Sequence, residues 1–200
     1  MNLLKKSWKI LTDINQKREF LTNLENISKV LESGSSQEKI KILETLDKTN
    51  NPTILEKIIS KLDDDDIQVR GEAFSSLVLN ENDISNFLIK SLNSTSKNIR
   101  GFASLVLANR NEKNAISELI KLTKDKRSMV RSCAVGALGH LRAKEVEEIF
   151  LQSLLDSNLE VRKSALQAII DLKIIVPEDM KKEINIQKDS EIEKLLLKLK

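Results

Sequence analysis

Cys133 and His140 are the single cysteine and single histidine of this 200-residue chain, and a thiol beside an imidazole is the pairing that nucleophilic catalysis uses. Such a pair must touch and needs a third group to orient the imidazole. Seven residues apart in one predicted helix, the two share a face but are separated by about 10 Å along the axis. They read as ordinary surface or groove positions. A second candidate is the run Asp63-Asp64-Asp65-Asp66, whose oxygens could hold a hard cation such as Ca²⁺. It lacks the later bidentate glutamate and the turn glycine of a calcium loop. It reads as a solvated turn between helices, with negative charge favourably placed at a helix N-terminus. A third is the row Arg70, Arg100, Arg131 and Arg162, which could track phosphates. Its recurrence at one position of every copy of a repeat favours a structural role. No catalytic residue, metal ligand or cofactor is expected.

The repeat is what positions these residues. A β-branched residue precedes each arginine (Val69, Ile99, Val130, Val161), and the arginines are spaced by 30, 31 and 31 residues. Three residues after each stands Ala73, Ala103, Ala134 or Ala165. Seven after stands Leu77, Leu107, Leu138 or Ile169, and six before stands Asp64, Ser94, Asp125 or Asp156. At 100° per residue, positions −1, +3 and +7 from the arginine fall on one stripe, the core face of an amphipathic helix. Each copy also has a first helix with its own stripe, as in Ile54-Leu55-Ile58-Ile59-Leu62. Helix N-caps are expected at Ser35, Asp66, Ser96 and Asn158, with the third copy departing at Arg127. A step of 31 back from Arg70 reaches Lys39, where Leu46 and Ser33 keep the frame of a degenerate first copy.

Composition agrees with stacked helices. The chain has no tyrosine, one Trp, five Phe, five Gly and two Pro, so its apolar volume comes from Leu, Ile, Val and Ala, and turns of the kind β-sandwiches need are scarce. A net charge of +3, from 33 basic and 30 acidic residues, gives no strong steering toward nucleic acid or an anionic membrane. One cysteine excludes an internal disulfide and suits a reducing, cytoplasmic setting. The first residues have no uninterrupted apolar segment of a leader, and nothing approaches the ~20 apolar residues of a membrane span.

The unit Asp–(five residues)–Arg–(two)–Ala–(three)–Leu, best displayed from Asp125 to Gly139, resembles HEAT repeats. The nearest variety is the short HEAT-like repeat named after phycobilisome lyases. The resemblance spans roughly residues 18–175 and implies an all-α chain, an α-solenoid of about five helix–turn–helix repeats with capping helices at both ends. A single domain over 1–200 is expected. It comprises an N-terminal cap at 1–17, a degenerate repeat at 18–48, repeats at 52–80, 82–111, 113–142 and 144–173, and a C-terminal cap at 177–200. The same resemblance implies that Asp64, Arg70, Arg100, Asp125, Arg131, Asp156 and Arg162 form a ladder of bonds within and between adjacent repeats.

In HEAT-type stacks the second helices line the concave surface, at positions +1, +2, +5 and +9 from the arginine. One of those sixteen residues, Lys163, is basic, so phosphate binding there is not expected. The rows instead offer Phe102 and Leu105 beside Ser75, Cys133, Gly136 and His140, the composition of a protein- or peptide-binding face with an apolar anchor. Basic charge gathers on a rim at Lys121, Lys124, Lys126 and Arg127, whereas residues 34–66 are acidic. A monomer is expected, with electrostatic self-association between these stretches an open alternative. The leading expectation is a non-enzymatic scaffold that binds a protein or peptide on the concave face. Its rivals are a nucleic-acid-binding solenoid resembling the HEAT-like alkylpurine DNA glycosylases, and a lyase-type enzyme acting on a tetrapyrrole.

Overall fold

A computed structural model describes residues 23–185 of the chain, with Ile192 and Lys194 beyond them. The expected N-terminal cap lies outside the described residues, as does most of the expected C-terminal cap beyond residue 185, where Ile192 is helical and buried. Every regular element among the described residues is helical. The chain divides into two compact units, Met1–Asn82 and Asp83–Lys200.

The first unit contains α1 (residues 23–33), α2 (Ser36–Leu43), α3 (Pro52–Ser60) with a 3₁₀ turn at Lys61–Asp63, and α4 (Ile67–Leu79). Each helix begins where the side chains allow. Ser35 and Glu38 close a capping box ahead of α2, Asn51 caps α3 with Pro52 in its first turn, and Asp66 caps α4. The core contains the expected stripes of α3 and α4 and the expected Leu46, joined by Leu31 and Leu43. Leu31, Leu43, Ile54, Leu55, Ile58, Leu62, Val69, Ala73 and Leu77 are all buried. The loop after α4 is tied back to the loop after α2, since the side-chain amides of Asn80 and Asn82 donate to the Thr49 and Lys48 carbonyls at 2.9 and 3.0 Å.

The second unit stacks three hairpins. They are α5 (Ser85–Ser91) with α6 (Lys97–Asn109), α7 (Ile116–Leu122) with α8 (Ser128–His140), and α9 (Glu147–Ser153) with α10 (Leu159–Leu172), followed by α11 (Glu178–Asn185). α8 packs against both α6 and α10, so the three second helices form one layer. A hairpin cannot bury both of its faces alone, and this side-by-side arrangement solves the problem, as in an α-solenoid. Ala103, Leu107, Val130, Ala134, Leu138, Val161, Ala165 and Ile169 are buried as the stripe requires; Ile99 is half-buried.

Two glycines mark how close the layer's helices come. A Cβ at Gly139 would lie 2.6 Å from Ala168 Cβ, and one at Gly101 would lie 2.7 Å from Met129 Sδ. One regularity has no side-chain signature: Asn111, Arg142 and Lys173, each eleven residues after the repeat's arginine, adopt positive φ of 57°, 55° and 58° at the turn that ends the second helix.

Candidate functional site

The Asp and Arg rows converge on the turn between the two helices of each repeat. Arg100 grips Asp125 in the next repeat with two bonds, Nε to Oδ2 at 2.8 Å and Nη2 to Oδ1 at 3.1 Å. Arg131 does the same to Asp156 at 2.7 and 2.8 Å. Each arginine also donates to the carbonyl six residues before it: Arg70 to Asp64 (2.7 Å), Arg100 to Ser94 (2.8 Å), Arg131 to Asp125 (2.9 Å) and Arg162 to Asp156 (2.8 Å). Each aspartate accepts the backbone N–H two residues on, as at Asp66, Arg127 and Asn158. One carboxylate thus closes its own turn and receives the preceding repeat's cation. In the first unit the cation is Lys39, whose Nζ lies 2.9 Å from Asp64 Oδ2. Asp64 is therefore enclosed rather than solvated as the reading of the aspartate run expected; Asp63 and Asp65 are exposed.

These contacts set the protonation of the turn. Burial pushes the Asp64 and Asp125 carboxyls up more than any single contact does. The bonds from Lys39 or Arg100 and from the backbone N–H, with the nearby positive charge, outweigh burial and hold both below the ordinary value. At Asp156 the Arg131 bond is the leading influence and again lowers the carboxyl, while the same bond raises Arg131.

The layer of second helices presents the other group of candidate residues. Phe102 and Leu105 on α6 are half-buried, as are Cys133 and Gly136 on α8; His140, at the end of α8, is exposed. Ser75 is half-buried on α4, in the first unit. Gly136, Gly139 and His140 meet Lys163, Ser164, Gln167 and Asp171 of α10 around a depression of about 450 Å³. A Cβ at Gly136 would have nothing within 4 Å. Polar groups of both kinds edge this hollow. The Ser132 and Ser164 hydroxyls lie 2.9 Å apart, Gln167 Nε2 donates to Asp171 Oδ1 at 2.8 Å, and Lys163 Nζ lies 3.2 Å from Glu160 Oε1. Burial pushes the Cys133 thiol up to about 11, so it stays protonated and is not a nucleophile at neutral pH.

The rim residues Lys121, Lys124, Lys126 and Arg127 are all exposed on the α7–α8 turn and the end of α7. Lys121 pairs with Glu118 at 2.6 Å. Arg127 is the N-cap of α8 and supplies no side-chain cap bond, unlike Asp66, Ser96 and Asn158 at the equivalent places. Lys39, which the step of 31 from Arg70 placed at the arginine's position, is the ladder cation whose role the sequence left unassigned; a cation 25 residues before a turn aspartate is the signal that gives it that role. No helix among the described residues is long and apolar enough to cross a membrane.

Comparison with known proteins places this geometry. Residues 85–170 match the family described as HEAT repeats. No curated protein matches the sequence. Among solved structures, a TOG domain array that crescerin uses to regulate microtubules in the primary cilium is similar over 88% of this chain and 88% of its own, at 16% identity and TM-score 0.55. A designed armadillo repeat protein covers 88% of this chain and 99% of its own at 19% identity and TM-score 0.51. Another, in complex with the peptide (KR)4, covers 88% and 98% at 19% identity and TM-score 0.50. At these identities the likeness is one of fold, an all-α solenoid of helical repeats.

Proposed function

We propose that this chain, an all-α solenoid of helical repeats whose residues 85–170 match HEAT repeats, is a non-enzymatic scaffold that binds a protein or peptide on the open face of α6, α8 and α10. The observation that carries this reading is the hollow between α8 and α10. It is edged by hydrogen-bonding side chains suited to a polypeptide, and α8 has an unfilled space there at Gly136. Phe102 and Leu105, half-buried on α6, supply apolar contact on the same layer. A designed protein of this fold holds a peptide, which accords with the proposal. The protonated Cys133 thiol gives no support to nucleophilic catalysis, and a lone cysteine accords with a cytoplasmic setting. The test is the pair Phe102→Ala with Leu105→Ser. Far-UV circular dichroism is expected to be unchanged and capture of the partner from lysate of the source cell to be lost. Unchanged capture by the folded variant overturns the assignment of this face.

A further inference from the structure

Two turns that occupy the same place in the repeat carry opposite charge. Arg70 and Arg131 mark equivalent positions, so Asp63, Asp65 and Asp66 correspond to Lys124, Lys126 and Arg127, while Asp64 and Asp125 correspond to each other. The two backbones are alike. In each, the aspartate N–H donates to the carbonyl three residues before (3.1 and 3.0 Å) and its Oδ1 accepts the N–H two residues on (3.2 and 2.8 Å). In each, the arginine's Nη1 donates to the aspartate carbonyl. The two turns therefore share a backbone frame while the side chains flanking it differ in sign. Asp63 and Asp65 are exposed and Asp66 is half-buried, while Lys124, Lys126 and Arg127 are all exposed. The corresponding positions of the other two turns in the second unit are uncharged: Asn93, Thr95 and Ser96, then Leu155, Ser157 and Asn158.

The basic turn also forgoes a folding contact. α8 starts at Arg127 without the side-chain cap that Asp66, Ser96 and Asn158 give their helices, leaving its first amides without that acceptor. Asp125, the one acid in this turn, is committed to Arg100. Among the described residues, no side-chain hydrogen bond or salt bridge accounts for the cations there, although Lys126 lies near enough to Asp125 to help lower its carboxyl.

We propose that the acidic α3–α4 turn of one copy of this protein docks on the basic α7–α8 turn of a second copy. Like-shaped turns of opposite sign steer the copies together, and such a contact between unlike surfaces is heterologous. Exposed charges attract over a Debye length of ~10 Å at 0.1 M salt and ~3 Å at 1 M, so the association is strong in dilute buffer and lost in concentrated salt.

Sedimentation velocity on the full chain tests this, in 20 mM and in 1 M NaCl, with protein from micromolar to several hundred micromolar. In low salt the weight-average mass is expected to rise with concentration above the 22.7 kDa of one chain, and in high salt to return to it. The variants Lys124→Glu/Lys126→Glu/Arg127→Glu and Asp63→Lys/Asp65→Lys, each verified as folded by circular dichroism, are expected to remain monomeric alone and to associate when mixed in equal amounts. Should the triple reversal not fold, Lys124→Gln/Lys126→Gln/Arg127→Gln takes its place as the monomeric arm, and the mixing arm uses Lys126→Glu/Arg127→Glu. A wild-type protein that stays monomeric in low salt, an association that salt does not reverse, a variant that still self-associates, or a mixture that does not, overturns the proposal.

Discussion

The turn aspartates show how much one carboxylate can hold. Asp156 closes its own turn through the Asn158 N–H, receives two bonds from Arg131, and stands in a turn whose carbonyl takes Arg162. Arg131 and Asp156 are only 17% and 15% exposed, so truncating the acid strands a cation with little water to replace its partner. Asp156→Ala is expected to cost about 2–4 kcal/mol in urea unfolding. The pH dependence follows from the direction of the shifts. Asp64, Asp125 and Asp156 are all held below the ordinary 3.8, so in the folded state each releases its proton more readily than in the unfolded chain. Their contribution is therefore complete above about pH 4 and is lost as pH falls through the folded values. Melting followed from pH 6 to pH 2 should decline steeply below pH 4, and the decline should flatten in Asp125→Asn/Asp156→Asn; a flat wild-type profile over that range contradicts the role given to these carboxylates. The row itself is legible in the sequence, because a charged residue repeated at one register in several copies is seldom accidental. The register of Lys39 is legible too, but its place in the ladder is not, because a different cation in a degenerate copy hides the same contact.

Elements are held by small residues as much as by large ones. Gly136 and Gly139 stand one turn apart on α8, yet their surroundings are opposite. A methyl at Gly136 would enter open space, and a methyl at Gly139 would collide with Ala168 on α10. Gly136→Ala is expected to stabilise by roughly 0.5–1 kcal/mol, since alanine loses less backbone entropy in a helix. Gly139→Ala is expected to destabilise by about 1–3 kcal/mol as α8 and α10 are forced apart. Chemical denaturation of the two variants checks both signs, and effects of the same sign would contradict the packing described. If Gly136 also borders the partner's seat, its alanine variant gains stability while partner binding weakens. The stripes, caps and helix order are readable because each follows from side-chain type at a fixed period; Ser35, Asp66, Ser96 and Asn158 cap the helices that their positions imply. The left-handed residues Asn111, Arg142 and Lys173 are not readable in that way. Their regularity belongs to the backbone, and three different side chains occupy it. The exposure of Phe102 and Leu105 likewise depends on what packs beside α6, which the sequence of α6 does not contain.

At the scale of the whole molecule, the repeat divides labour between its surfaces. In the second unit the ion pairs that join successive hairpins lie at the turns and not on the open face of α6, α8 and α10. Function in this fold class is a property of the face and not of the fold, since one scaffold serves many partners. The central claim is that α6, α8 and α10 present the surface on which a polypeptide partner lies. Site-specific photo-crosslinking tests it most directly, with a benzoylphenylalanine placed in turn at Leu105, at Gln167 and at Ser117, an exposed position on the first-helix side of the second unit. Crosslinks to one common partner from positions 105 and 167, with none from 117, are the predicted result. Crosslinks from 117 with none from 105 or 167 would contradict it.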